Sequence, residues 1–304
     1  MAAKLKISIP NLMPTQLFGP KFKSWWNGEP MPELQLVEAN SENQPESSQV
    51  QPETAALMAA VALWGEGRLS PADDKFDIDL ANALAVQKSA KLIMFSAETG
   101  ARPIAIIKAL NCKVESFESD AKIKEMADKN VKAAALSKSY HSVLFDGKPG
   151  SLPKNKADAV LALYSGTSAK NLEQIAFSIV RTLKPSGMAM ILDFVLRHAE
   201  EDIAACKGDE GREFMLEPEI KSVFAAAGLK IRSDEDWGAS LLNTYYARQS
   251  AILENWERVQ AKLLNSGGIV AAQSLLSQTM VWRARLDALK LGRLTLRKFM
   301  LSKE

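Results

Sequence analysis

The chain has 304 residues, 47% of them hydrophobic and 24% charged. That is a globular composition, long enough for one large domain with additions or for two, and it excludes a wholly disordered chain. Charge nearly cancels, with 38 Lys and Arg against 36 Asp and Glu, which argues against a general polyanion binder but leaves room for a local basic patch; no nucleic acid is expected as a partner.

No apolar run reaches the ~18 residues that span a bilayer. Met1 to Pro10 carries two lysines but only a short apolar stretch, so a secretory signal is not expected. Cys112 and Cys206 are too few for a disulfide framework or a cysteine-rich zinc site. They are read as two reduced thiols in a cytoplasmic protein.

Met1 to Glu38 mixes Pro, Gly and aromatic residues, including Trp25 and Trp26, and is expected to dock through its rings without long regular structure. Ala39 to Glu53 is polar with two prolines and reads as a flexible linker. Residues 1–53 are thus an N-terminal extension with its linker. Thr54 to Trp64 is Ala-rich and predicts a helix with Thr54 as N-cap. After Gly65-Glu66-Gly67, Ser70 and Pro71 predict the start of another helix, running to about Val86.

From Ala90 the period changes. Lys91 to Phe95 is a short apolar run suited to a strand buried on both faces. A turn at Ser96 to Gly100 precedes a helix from Pro103 to Leu110. Cys112 to Phe117 and Ser142 to Phe145 predict strands, with a helix over Ala121 to Asn130 between them. Ala157 to Leu163 predicts another strand, and Ser168 caps a helix to Leu183. Pro185-Ser186-Gly187 predicts a turn before the strand Met188 to Val195. Glu217 to Ala227 is a helix stopped by Gly228, and Leu229 begins a strand. This alternation implies an α/β fold with an open, doubly wound sheet. Asn243 to Leu264 and Ile269 to Leu289 interrupt it as two long helical patterns, read as a helical insert over about 239–290. Leu294 to Leu301 is the last predicted strand.

The order of elements resembles the class I S-adenosylmethionine-dependent methyltransferase fold over roughly residues 55–304. It is closest to small-molecule methyltransferases of the ubiquinone-biosynthesis and phosphoethanolamine type. Leu183-Lys184-Pro185-Ser186-Gly187 with the strand Met188 to Phe194 is similar to that family's L-K-P-G-G turn and fifth strand. Ala157-Asp158-Ala159-Val160 is similar to its F-D-A-V fourth strand, and strand, turn, helix, strand and acid follow in order from Leu92 to Glu118. The resemblance implies a seven-stranded, mostly parallel sheet in a methyltransferase-like domain over residues 54–304.

The family binds its cofactor in the first strand-to-helix turn, with the pattern D-x-G-x-G-x-G. Glycines there let the backbone approach the cofactor. This chain has Met94 at the acidic position, then Ser96, Glu98 and Gly100. Glu98 adds bulk, a strained backbone angle and negative charge near the expected cofactor carboxylate. Two like charges about 5 Å apart at an effective dielectric of about 20 repel by roughly 3 kcal/mol, about a hundredfold in affinity. No bound cofactor is therefore expected, and Ser96, Glu98, Gly100, Glu118 and Asp146 are read as vestigial cofactor positions. Glu118 corresponds to the family's ribose-binding acid, or is a solvated loop acid. Asp146 corresponds to a position near the adenine edge, or is a turn residue before Gly147. Glu98 and Arg102 stand four apart and form either a pair filling the emptied site or an exposed surface pair.

No catalytic residue is assigned. His141 and His198 make no metal spacing, and no metal is expected. Tyr164 and Asp193 end the fourth and fifth strands on the functional edge. Trp237, Tyr245, Tyr246 and Trp256 are read as helix-packing residues, with an aromatic cage as the alternative. The tail is basic at Arg283, Arg285, Lys290, Arg293, Arg297, Lys298 and Lys303, opposed by Asp287 and Glu304. It is a solvated face, a protein-partner surface or a peripheral contact with an acidic membrane. Two functions compete. One is a non-catalytic methyltransferase-like protein acting through protein or ligand binding, through the helical insert or the basic C-terminus. The other is an active S-adenosylmethionine-dependent methyltransferase acting on a small amine, phenol or lipid headgroup.

Overall fold

The structure, a computed structural model, describes residues 50–304 other than Ser165, Thr167, Asp209, Glu210 and Asn255, with backbone alone at 249–262 and 264–269. The expectations for the N-terminal extension lie outside the described residues, except at 50–53. There Pro52 and Glu53 already belong to the first helix.

Short apolar runs at Lys91–Phe95 (β1) and Ala157–Leu163 (β4) form strands buried on both faces of one sheet, and Lys113–Glu118 (β2), buried after Lys113 although it carries Glu115, Ser116 and Glu118, pairs beside β1. Tyr140–Leu144 (β3), Leu183–Leu196 (β5), Leu229–Asp236 (β7) and Leu294–Lys303 (β8) complete the main path. Its order is β3-β2-β1-β4-β5-β8-β7. The first five strands run parallel, and β8 is antiparallel to both β5 and β7. These are the seven strands expected. An eighth, the two-residue Met215–Leu216 (β6), pairs with the end of β5 off the main path.

The helices are Pro52–Trp64 (α1), Asp74–Ala83 (α2), Ala101–Leu110 (α3), Ala121–Ala133 (α4), Ala169–Thr182 (α5), Ala204–Lys207 (α6), Glu217–Ala227 (α7), Gly238–Glu254 (α8) and Trp256–Lys290 (α9). Ser168 caps α5 by accepting from the Asn171 N–H, and Gly228 ends α7 in the left-handed region, both as expected. The helical insert expected over about 239–290 is α8 and α9; α8 ends earlier than the first pattern, and α9, with 35 residues, is longer than the second.

Three expectations are corrected. Thr54 does not cap α1, because Pro52 already supplies the first helical residue. Ser70 does not start a helix. α2 begins at Asp74, capped by the Asp73 side chain on the Phe76 N–H, and the Ser70 hydroxyl is committed elsewhere. Pro185 to Gly187 lie within β5, where its register against β4 shifts between Ala157 and Ala159. Gly187 has no room for a Cβ, which would stand 2.9 Å from the Asp158 carbonyl oxygen.

The chain divides into two compact units, residues 1–63 with 249–279 and residues 64–248 with 280–304. Within the first, Gln278 donates from Nε2 to the Ala56 carbonyl at 2.7 Å, and Ala55, Ala59, Leu63, Ala272 and Leu275 are buried. The second holds the sheet. Leu92, Ile93, Phe95, Val160, Leu161, Ile191 and Leu192 are buried on its central strands, as the sequence predicts. Ile191→Ala is expected to cost about 2–5 kcal/mol in a urea melt, the range for a truncation in a close-packed core. A loss below about 1 kcal/mol would contradict the placement of this residue at the centre of the sheet.

Candidate functional site

In an open parallel sheet, ligands bind beyond the carboxyl ends of the strands where the strand order reverses. Here that point lies between β1 and β4. It is flanked by the turn Ser96–Gly100 and by Tyr164, with Glu118 closing β2 beside them.

The turn keeps a glycine-type backbone. Ser96, Glu98 and Gly100 have φ of 69°, 53° and 109°, so all three alternate positions are left-handed although two carry side chains. Such a conformation costs a non-glycine residue roughly 1–2 kcal/mol. Gly100 is retained for packing: a Cβ there would stand 3.1 Å from the Ala127 carbonyl of α4.

The Glu98 side chain turns inward and is 4% exposed. Its Oε1 accepts from Arg102 Nη2 at 2.9 Å and from the Ser70 hydroxyl at 2.5 Å, and its Oε2 accepts from the Leu69 N–H at 3.2 Å. Arg102, 1% exposed, also donates from Nε to Asp77 at 2.9 Å and from Nη1 to the Ser96 carbonyl at 3.0 Å. Asp77 is completely buried and accepts in addition from Arg68 at 2.8 Å. Two buried carboxylates thus face two buried guanidiniums, and every charge has a partner of opposite sign. Burial alone lowers the affinity of Arg102 for its proton, but Glu98 and Asp77 outweigh it and leave the guanidinium raised above its ordinary value.

The backbone donors of the turn are also used within the chain. Ala97 N–H donates to Glu118 at 2.7 Å, Ser96 N–H to the Phe117 carbonyl and Gly100 N–H to the Ala97 carbonyl. The Ala101 N–H, at the start of α3, donates to the Gly67 carbonyl at 3.0 Å. Gly67 can approach this closely because it lacks a Cβ, which would lie 2.8 Å from the Ala101 nitrogen. The helix end that would face a ligand's polar group is therefore capped by the loop before α2.

Glu118 lies where the sequence places it, but it is 2% exposed and serves the turn instead of facing solvent. Burial pushes its carboxyl up to about 7, against the opposing pull of the Ala97 N–H. Asp146 is exposed and accepts from the Lys148 N–H as a turn residue. Those bonds hold its carboxyl below its ordinary value. Asp193 accepts from the Gly166 N–H at 2.7 Å and pairs with the buried Arg212, which also donates to the Tyr164 carbonyl at 3.1 Å. Tyr164 stacks on Phe194 at 5.5 Å, with Trp282 against both rings.

The remaining sequence candidates are dispersed. His141 and His198 are exposed on different strands' ends, and among the described residues no group of three His, Cys, Asp or Glu could hold a metal. Trp237 packs on Phe76 and carries Lys298 over its face at 4.6 Å, whereas Tyr245 packs on Trp64 and Tyr246 carries Lys290. These rings meet cations of the same chain. The Trp256 side chain lies outside the description. In the tail, Arg283 and Lys290 approach Asp287, Arg293 approaches Glu201, Arg297 pairs with Asp234 and Lys298 with Glu235. Both cysteines are buried and free, with burial raising both thiols. No described helix is long and apolar enough to cross a membrane.

Sequence reasoning missed Arg68, Asp77 and Arg212. Their partners lie 9 to 25 residues away or are reached across the sheet edge, so no local spacing marks them.

The raised Glu118 carboxyl has a consequence for stability. The folded state holds its proton more tightly than the unfolded chain. Stability should therefore be full below about pH 4.5 for this group and fall as pH rises toward 7. At about 1.4 kcal/mol per pH unit the penalty at pH 8 is about 3 kcal/mol. Glu118→Gln should remove this dependence and stabilise the protein at pH 8 relative to pH 5 in paired urea melts. An unchanged pH profile would show that Glu118 is ionised throughout.

No family model matches the chain, and no curated protein matches it. Solved structures do. A phosphoethanolamine N-methyltransferase 2 from Haemonchus contortus, in complex with phosphomonomethylethanolamine and S-adenosylhomocysteine, superposes with a TM-score of 0.67 at 14% identity, over 84% of this chain and 60% of that one. The [4+2]-cyclase SpnF gives 0.60 at 16% identity over 83% and 94%. A geranyl diphosphate C-methyltransferase from Streptomyces coelicolor A3(2) gives 0.58 at 12% identity over 75% of each chain. With the strand order and the carboxyl-edge turn described above, these likenesses identify the fold of this chain as that of the class I S-adenosylmethionine-dependent methyltransferases.

Proposed function

We propose that this chain is a non-catalytic methyltransferase-like protein that acts by binding a protein or a ligand, with its cofactor cleft remodelled. The observation that carries the reading is Glu98, buried in the turn and held by Arg102, Ser70 and Leu69. A carboxylate at this position meets a cofactor carboxylate with like charge, and the Ser96, Ala97, Gly100 and Ala101 N–H groups are already bonded within the chain. Ser96, Glu98, Gly100, Glu118 and Asp146 are in this reading vestiges of a cofactor site. The fold itself does not require methyl transfer. One of the similar structures is a [4+2]-cyclase.

The partner surface in this reading is either the helical insert, α8 and α9, or the basic tail. The pairing of Arg283, Lys290, Arg293, Arg297 and Lys298 with carboxylates favours a protein over an acidic membrane. Two buried free thiols fit a reducing compartment such as the cytoplasm.

One observation favours the alternative, a methyltransferase of a small amine, phenol or lipid headgroup. Positions 96, 98 and 100 keep the left-handed backbone of a glycine turn. Calorimetric titration with S-adenosylmethionine and S-adenosylhomocysteine separates the two. No saturation in the micromolar range is expected. Ser96→Gly with Glu98→Gly should restore part of the affinity, since Met94 still stands at the acidic position. Micromolar binding by the unaltered chain would overturn the proposal.

A further inference from the structure

An open cleft of about 850 Å³ lies at the carboxyl end of β5, bordered by the start of α7, by residues between Ala199 and Lys207, and by Glu213 and Phe214. No residue of the β1–α3 turn lines it. Its volume falls within the range of small-ligand sites, roughly 300–1,000 Å³. Leu196, Ile203, Phe214, Met215 and Val223 form an apolar floor. The charged side chains of the lining are Glu201, Lys207, Glu213 and Glu219.

These four are not equivalent. Glu201 is partly neutralised by Arg293 at 3.7 Å. Glu213 is exposed and has no ion-pair partner among the described residues. Glu219 accepts from the Leu216 N–H at 2.7 Å, a neutral donor that leaves its charge in place. The start of α7 would otherwise attract an anion, but Glu219 already occupies that end. Against these stands one cation, Lys207. The wall is therefore negative above an apolar floor.

We propose that this cleft binds an organic cation with an apolar body. The charged end sits between Glu213 and Glu219, and the body lies on Met215, Phe214 and Val223. This site is separate from the remodelled turn, and its occupancy does not depend on whether the turn binds a cofactor.

Three eight-carbon probes test this: n-octylammonium, 1-octanol and octanoate. Binding is read from the Met215 methyl signal in a ¹³C-methyl-methionine spectrum, assigned with Met215→Leu. The Met215 signal should move saturably, with affinity falling from octylammonium through octanol to octanoate. Glu213→Gln with Glu219→Gln should weaken octylammonium binding roughly two- to tenfold while keeping the acceptor for Leu216, the scale expected of exposed ion pairs. Lys207→Gln should tighten it. If the double variant does not fold, Glu213→Gln alone should still weaken binding, since that side chain is exposed. Octanoate binding as tightly as octylammonium, a Met215 signal that does not move, or an affinity unaltered by the glutamine variants would each overturn the proposal.

Discussion

A carboxylate taken out of water must be paired, and Glu98 is taken out of water in the β1–α3 turn, at the point where the strand order reverses. Its pairing with Arg102 draws in Asp77, Arg68 and the Ser70 hydroxyl, so that α2, α3 and the loop before α2 share one charge network. Removing a single member strands another charge in a buried site, which costs about 3–5 kcal/mol where it has been measured in buried pairs. The network also fixes the Gly67 carbonyl over the first N–H of α3. The chain therefore supplies donors, acceptors and charge to its own turn.

The same logic runs along the sheet edge. Asp193, at the level of Tyr164, is neutralised by Arg212, and the Arg212 guanidinium lies 5.7 Å from the centre of the Phe214 ring. Tyr164, Phe194 and Trp282 form an aromatic layer beside it. Polar groups that a doubly wound sheet presents at its carboxyl edge are here internal to the protein. At the end of β5 the short β6 and the start of α7 border an open cleft.

Much of the fold was legible in the sequence, because a strand buried on both faces has to be an apolar run. Lys91 to Phe95 and Ala157 to Leu163 match their strands residue for residue. Ser168 and Gly228 mark helix ends by local chemistry that no distant contact overrides. Ser70 failed as a helix start for the opposite reason. Its hydroxyl is used by Glu98, 28 residues away, and Asp73 takes the cap. The strained angle at Glu98 and its pairing with Arg102 were legible from the turn pattern and the i, i+4 spacing. Asp77 and Arg68 were not, because the network joins α2, α3 and the loop before α2 across 9 to 25 residues and leaves no period in the sequence.

The most direct test of the buried network is a double-mutant cycle of Glu98→Ala and Arg102→Ala, followed by urea denaturation at pH 7. Buried and mutually satisfied, the two side chains should show a coupling energy of about 2 kcal/mol, within the range for residues in one ion-pair network. A coupling below about 0.5 kcal/mol, the value of an exposed i, i+4 pair, would mean that Glu98 faces solvent and that the turn is open.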